Sequence, residues 1–174
     1  MIEKELTKIW VSYKDIHDLV KEGCERLSKI YSPDFLVGIS GGGLMPVRLA
    51  KTFFKYYTKK DIPIYVIGIS NYDSNNNLLP EPKITQGLDE IVIKSIIGKK
   101  GLIVDEVDDT RKTLEKACNY LLNIKIKELK ILVMHSKKKE KIGKIPECIQ
   151  LYYVREVDDV WINYQWDFKE IINK

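Results

Sequence analysis

The sequence predicts an α/β fold with a mostly parallel, open sheet flanked by helices. Short, nearly all-apolar runs at residues 35–39 (FLVGI), 64–69 (IYVIGI), 101–105 (GLIVD) and 129–134 (LKILVM) have the length of buried strands. Stretches with helical spacing separate them, the alternation that builds parallel sheets. Glycine or polar turns follow several of these runs directly, and open α/β sheets bind ligands beyond the carboxyl ends of their strands.

With 174 residues, 44% hydrophobic and 31% charged, the chain has the dimensions of one globular domain, 1–174, with a sizeable core. Residues 1–10 alternate charged and apolar side chains and hold no apolar signal core, and no later apolar run is long enough to span a bilayer. Cys24, Cys118 and Cys148 are an odd, widely spaced set without metal-ligand spacing. Reduced thiols in a cytoplasmic setting are the expectation.

Taken in chain order, Ser12 and Asp15 form a capping-box pattern ahead of Ile16, Leu19, Val20, Cys24, Leu27 and Ile30 at helical spacing. This first helix is predicted to end near Pro33. The strand at 35–39 leads into Ser40-Gly41-Gly42-Gly43, and Pro46 stands where the next helix begins. After the strand at 64–69 comes a polar stretch, 71–86 (NYDSNNNLLPEPKITQ), too long for a plain connector and read as a loop or lid.

Residues 102–114 (LIVDEVDDTRKTL) carry the chemistry. A buried strand ends in the adjacent acids Asp105 and Glu106, and a polar turn then opens a helix that runs to about Asn123. Free amides at a helix start, with Thr110, Lys112 and Thr113, suit a phosphate monoester. The acid pair suits vicinal hydroxyls or a hydrated Mg²⁺. A ribose 5-phosphate meets both requirements.

Residues 136–144 (SKKKEKIGK) hold five Lys and one Glu, which equals the whole net charge of +4. A solvated loop is one reading and a nucleic-acid contact another, although no accompanying basic helix or aromatic RNA motif supports the second.

The string 102–114 resembles the signature of the type I phosphoribosyltransferase family, in which an apolar run and two acids precede Asp-Thr-Gly-x-Thr. Two positions depart from it: Asp108 stands where an apolar residue is usual, and Arg111 where Gly is usual. Residues 161–167 (WINYQWD) look like the hood segment of the xanthine-guanine and hypoxanthine-guanine members of the purine-salvage branch. The resemblance implies a core at about 33–135, a small hood built from about 1–12 and 136–174, and a mobile lid at about 70–86.

It also implies a reaction: an Mg²⁺-dependent transfer of the phosphoribosyl group from 5-phosphoribosyl-1-pyrophosphate (PRPP) to a 6-oxopurine, by a homodimer or homotetramer. By resemblance, Asp105, Glu106, Asp108, Asp109, Thr110, Arg111, Lys112 and Thr113 hold PRPP, and Asp109 is the catalytic acid or base near N7 of the purine. Ser40, Gly41, Gly42 and Gly43 form the pyrophosphate loop, with an unusual cis peptide, and Arg48 or a neighbour supplies charge there. Ser70 and Tyr72 begin the lid. Lys137, with Lys138 and Lys139 as alternatives, reads the purine O6, Trp161 stacks on the base, and the Ile162 backbone reads its edge. Metal ligation falls to Asp105, Glu106 and Asp167. Adenine, orotate or uracil as acceptor, or a nucleotide-sensing regulator of the same fold, are the competing readings.

Overall fold

The computed structural model describes residues 8–75 and 77–170. Its elements in chain order are β1 (Lys8–Val11), α1 (Tyr13–Ser28), β2 (Phe35–Ser40), α2 (Leu44–Thr58), β3 (Ile64–Tyr72), β4 (Leu78–Gln86), α3 (Glu90–Ile96), β5 (Lys100–Asp108), α4 (Lys112–Asn123), β6 (Glu128–Lys138), β7 (Gln150–Asp158) and β8 (Trp161–Tyr164). A 3₁₀ turn, Gln165–Asp167, follows. The main sheet has the order β4-β3-β2-β5-β6-β7, parallel throughout except where β4 pairs with β3, so the predicted fold class is observed.

Strand alternation divides the core between the two faces. Leu36, Leu102, Val104, Leu132 and Met134 point toward α1 and α2, where Ile16, Val20, Leu27 and Phe54 cover them. Phe35, Val37, Ile103, Ile131 and Val133 point the other way, onto Ile96 of α3 and Leu114, Ala117 and Leu121 of α4. Burial on both faces is why these strands read as unbroken apolar runs.

The capping box forms as expected: Ser12 N–H donates to Asp15 Oδ2 at 2.8 Å and Asp15 N–H to Ser12 Oγ at 3.1 Å. α1 ends at Ser28, earlier than Pro33 suggests. The chain leaves the helix there because Tyr31 turns inward and its hydroxyl donates to Gly101 O at 2.8 Å.

The polar stretch 71–86 is more ordered than a loop. Residues 78–86 are a strand, antiparallel to β3, and the two form a hairpin at the sheet edge. Asp73 shapes the turn by accepting from Asn75 N–H at 2.8 Å and Asn77 N–H at 2.9 Å. Pro80 and Pro82 are tolerated because an edge strand leaves half its amides without a ladder partner.

The two ends of the chain meet in a separate two-stranded sheet, where β1 pairs in parallel with β8 and Ile9 stands opposite Ile162. Residues 136–138 and 150–158 lie in the main sheet, and among the described residues of 136–170 it is β8 that pairs with β1.

Candidate active site

Neighbouring pairing of β2 and β5 sets their carboxyl ends side by side, Gly38 opposite Val104. The glycine turn after β2 therefore lies against the acids at the end of β5. A Cβ on Gly42 would stand 2.2 Å from the Glu106 carboxylate carbon, and one on Gly43 2.7 Å from Asp105 Oδ1. No side chain fits between turn and acids, which is the physical reason for glycine at both positions. Every described peptide is trans, so the unusual cis bond implied for this turn is not found.

Asp105 is buried, and burial together with the adjoining Glu106 pushes its carboxyl well above the usual carboxylate range. Glu106 Oε2 is buried with no hydrogen-bond partner among the described residues. A buried, unpartnered carboxylate oxygen beside a second acid is a site that a divalent cation would satisfy. Among the described residues no three His, Cys, Asp or Glu side chains gather around one point, so Asp167 does not join the acid pair in a metal cluster. Two carboxylates, completed by substrate oxygens and water, suit Mg²⁺, which keeps much of its hydration.

The turn between β5 and α4 explains both departures from the family pattern at once. Arg111 adopts the left-handed conformation, φ 71°, that glycine favours. Its guanidinium donates to the Asp108 carboxylate, from Nη2 at 2.7 Å and from Nε at 3.2 and 3.3 Å. Asp108 is fully buried and also receives Lys141 Nζ at 3.3 Å and Ser136 Oγ at 3.4 Å. The unusual acid and the unusual arginine are thus partners. With both side chains engaged, Asp108 and Arg111 shape the β5–α4 turn, and Arg111 offers a ligand chiefly its backbone.

Asp109, Thr110, Lys112 and Thr113 line a cleft of about 460 Å³ with Ser40, Gly42, Asp105 and Glu106. The β3–β4 hairpin forms its opposite wall through Asn71, Tyr72 and Leu79. Asn71 Nδ2 donates to Thr113 Oγ1 at 3.3 Å, and Lys112 Nζ donates to Pro80 O at 3.0 Å, so the hairpin already touches the start of α4. Ser70 Oγ is turned to its own strand, accepting from Tyr72 N–H at 3.0 Å, and Tyr72 is exposed. Arg48 bonds Thr52 Oγ1 within α2.

Three lysines at the end of β6 separate by side. Lys137 Nζ donates to Asp109 Oδ2 at 3.4 Å, and Lys139 Nζ lies 3.1 Å from Asp109 Oδ1 and 3.0 Å from Asp159. Lys138 faces the other way, toward Glu156 and Asp158. Lys137 is therefore brought to Asp109 and Lys138 is not. Lys137, Lys138, Lys139 and Lys141 are thus paired with acids, which offsets most of the charge of the run, while residues 139–144 form a loop in which Lys144 is exposed.

At the hood, Trp161 is 63% exposed while Ile162 is buried by its pairing with β1. Sequence reasoning missed Tyr164, whose hydroxyl donates to Glu106 O at 3.1 Å and accepts from His135 Nδ1 at 2.9 Å. Its ring stacks on Trp166 with centroids 4.7 Å apart. This buried chain ties the hood to the acids of β5. Burial pushes the His135 imidazolium down to about 4, so the ring is neutral, and pushes the Tyr164 phenol well up.

A phosphoribosyl transferase domain matches residues 4–168. The chain belongs to the phosphoribosyltransferase family. The hypoxanthine-guanine phosphoribosyltransferase of Schizosaccharomyces pombe is 34% identical over 94% of this chain and 91% of its own length. Xanthine phosphoribosyltransferase 1 of Saccharomyces cerevisiae is 35% identical over 98% of this chain and 94% of its own. A hypothetical protein from Neisseria gonorrhoeae with bound ppGpp has a similar structure, with a TM-score of 0.85 and 37% identity, covering 97% of this chain and 94% of that one. The expected membership in the type I family, purine-salvage branch, is borne out. No helix of the described residues is long and apolar enough to cross a membrane.

Proposed function

We propose that this phosphoribosyltransferase transfers the 5-phosphoribosyl group of PRPP to a 6-oxopurine (xanthine, guanine or hypoxanthine), giving the nucleoside monophosphate and pyrophosphate. The observation that carries the proposal is the single cleft that joins the acid pair Asp105 and Glu106, the phosphate turn 109–113 and the glycine turn 40–43. The acid pair takes the ribose hydroxyls, free amides and Thr110 and Thr113 take the 5′-phosphate, and the glycine turn takes the pyrophosphate. Mg²⁺, held by Asp105 and Glu106 together with substrate oxygens, would supply charge to offset that of the departing pyrophosphate.

In the transfer, the bond between C1′ and the pyrophosphate oxygen breaks as a purine nitrogen bonds to C1′. Asp109 takes the proton that the purine loses at N7, and Lys137, beside it, donates to O6. An ammonium donor there favours a 6-oxo over a 6-amino group. Trp161 is exposed and able to stack on the base, with the Ile162 backbone at its edge. The hairpin acts as the lid, closing over the cleft to exclude water. Asp167 would help hold Mg²⁺ on the pyrophosphate. The working unit is a homodimer or homotetramer in the cytoplasm, a setting that suits the free thiols Cys24, Cys118 and Cys148.

Pyrophosphate release, measured with PRPP and Mg²⁺ and each purine or pyrimidine in turn, tests the proposal. Release is expected with 6-oxopurines and not with adenine, orotate or uracil; silence with every base refutes it. The ppGpp of the gonococcal relative favours one addition, that a guanine nucleotide competes with PRPP for this cleft. Inhibition by ppGpp that is relieved by raising PRPP is the expected result.

A further inference from the structure

The segment 141–143 reaches across some thirty residues of sequence to the backbone of the phosphate turn. Lys141 Nζ donates to Asp108 O at 2.7 Å and to Asp109 O at 3.0 Å, and pairs with the Asp108 carboxylate at 3.3 Å. The amides of Ile142 and Gly143 both donate to Thr110 O, at 3.1 and 3.0 Å. Three consecutive carbonyls of the turn are thereby held from one side. Gly143 is buried against the turn: a Cβ there would stand 2.5 Å from Arg111 C and O and 2.6 Å from Lys112 N.

In a trans peptide the C=O and the following N–H point in opposite directions. Holding the carbonyls of Asp108, Asp109 and Thr110 therefore aims the amides of Asp109, Thr110 and Arg111 away from the segment that holds them. The amides of Thr110 and Arg111 donate to no backbone carbonyl among the described residues, which leaves them for a ligand. The turn needs this support because Arg111 lacks the freedom of glycine at φ 71°.

We propose that residues 141–143 are a clamp that presets the 5′-phosphate turn, with Lys141 as its positioning residue. The lysine-rich segment thus serves binding of a phosphate monoester from behind, without touching it. The clamp rests on the phosphate turn being the ribose 5-phosphate site, and it leaves the glycine turn that would hold pyrophosphate unaffected.

Lys141→Met keeps the length of the side chain and removes its donors. Inhibition of transfer by ribose 5-phosphate and by inorganic pyrophosphate is measured for wild type, Lys141→Met, and Lys144→Met at an exposed neighbour. Lys141→Met should weaken ribose 5-phosphate, and raise KM for PRPP, by about tenfold or more, as loss of a charged donor to two carbonyls implies. Pyrophosphate inhibition should stay within about twofold, and Lys144→Met should match wild type. Gly143→Ala keeps every donor but pushes the clamp off Arg111, and should show the same selective loss even if Lys141→Met fails to fold. Equal weakening of both ligands, or none, overturns the clamp. A wild-type enzyme active with PRPP but blind to ribose 5-phosphate overturns it while leaving the transfer reaction standing. A wild-type protein that transfers nothing overturns both.

Discussion

Arg111→Gly restores the usual family residue, yet we expect it to destabilise this protein. Glycine removes the cost of the left-handed conformation at φ 71°, about 1–2 kcal/mol for a residue with a Cβ. It also takes away the guanidinium that holds the buried Asp108 through contacts of 2.7 to 3.3 Å. Breaking one side of a buried ion pair costs about 3–5 kcal/mol. Lys141 at 3.3 Å and Ser136 at 3.4 Å still face Asp108, so the lower part of that range applies. The net loss is about 1–3 kcal/mol, or roughly 2–10 °C in Tm for a domain of this size. Asp108→Val restores the other usual residue, and the two changes together should be less harmful than their sum. Urea unfolding of wild type, both single variants and the double variant measures this coupling, expected at about 2 kcal/mol. An Arg111→Gly protein as stable as wild type, or additive single effects, refutes the mutual support of Asp108 and Arg111.

His135, neutral when folded, should make the fold sensitive to acid. Its folded pKa of about 4 lies below the ordinary 6.5, so the unfolded chain takes up the proton first. Stability from this group is complete above 6.5 and falls as the pH drops toward about 4, by up to about 3 kcal/mol. His135→Gln, which can still donate to Tyr164, should flatten the acid side of a stability profile measured by urea unfolding; an unchanged slope assigns the sensitivity elsewhere. Trp161→Ala should raise KM for the base about 5- to 150-fold, the equivalent of a 1–3 kcal/mol stack, while KM for PRPP holds. Equal changes in both constants, or none, remove Trp161 from the base site.

The buried strands β2, β3, β5 and β6 were legible because burial on both faces leaves a plain apolar signature, and the capping box because its two partners are three residues apart. The motif at 102–114 was legible because strand, acids and phosphate turn are consecutive in sequence. β4 was not, because a prolyl, polar edge strand against β3 has the composition of a loop. The pairing of the lysine run was not legible for a different reason. Its charge count says nothing of Asp108, Asp109, Glu156, Asp158 and Asp159, which only the fold brings to it. Tyr164 carried no signal either, since its partners Glu106 and His135 lie 58 and 29 residues away. Arg111 was visible as a departure from the pattern, but its compensation by Asp108 required the turn geometry.

The central claim is that transfer takes place at the end of β5, with Asp109 moving the purine proton. Turnover of Asp109→Asn, measured beside its affinity for PRPP, tests this most directly. The carboxylate touches Lys137 and Lys139, whereas the phosphate turn is held through backbone groups, so the variant keeps its PRPP site. Turnover should fall about 10²- to 10⁴-fold with PRPP affinity within a few-fold of wild type. Turnover close to wild type would contradict the account.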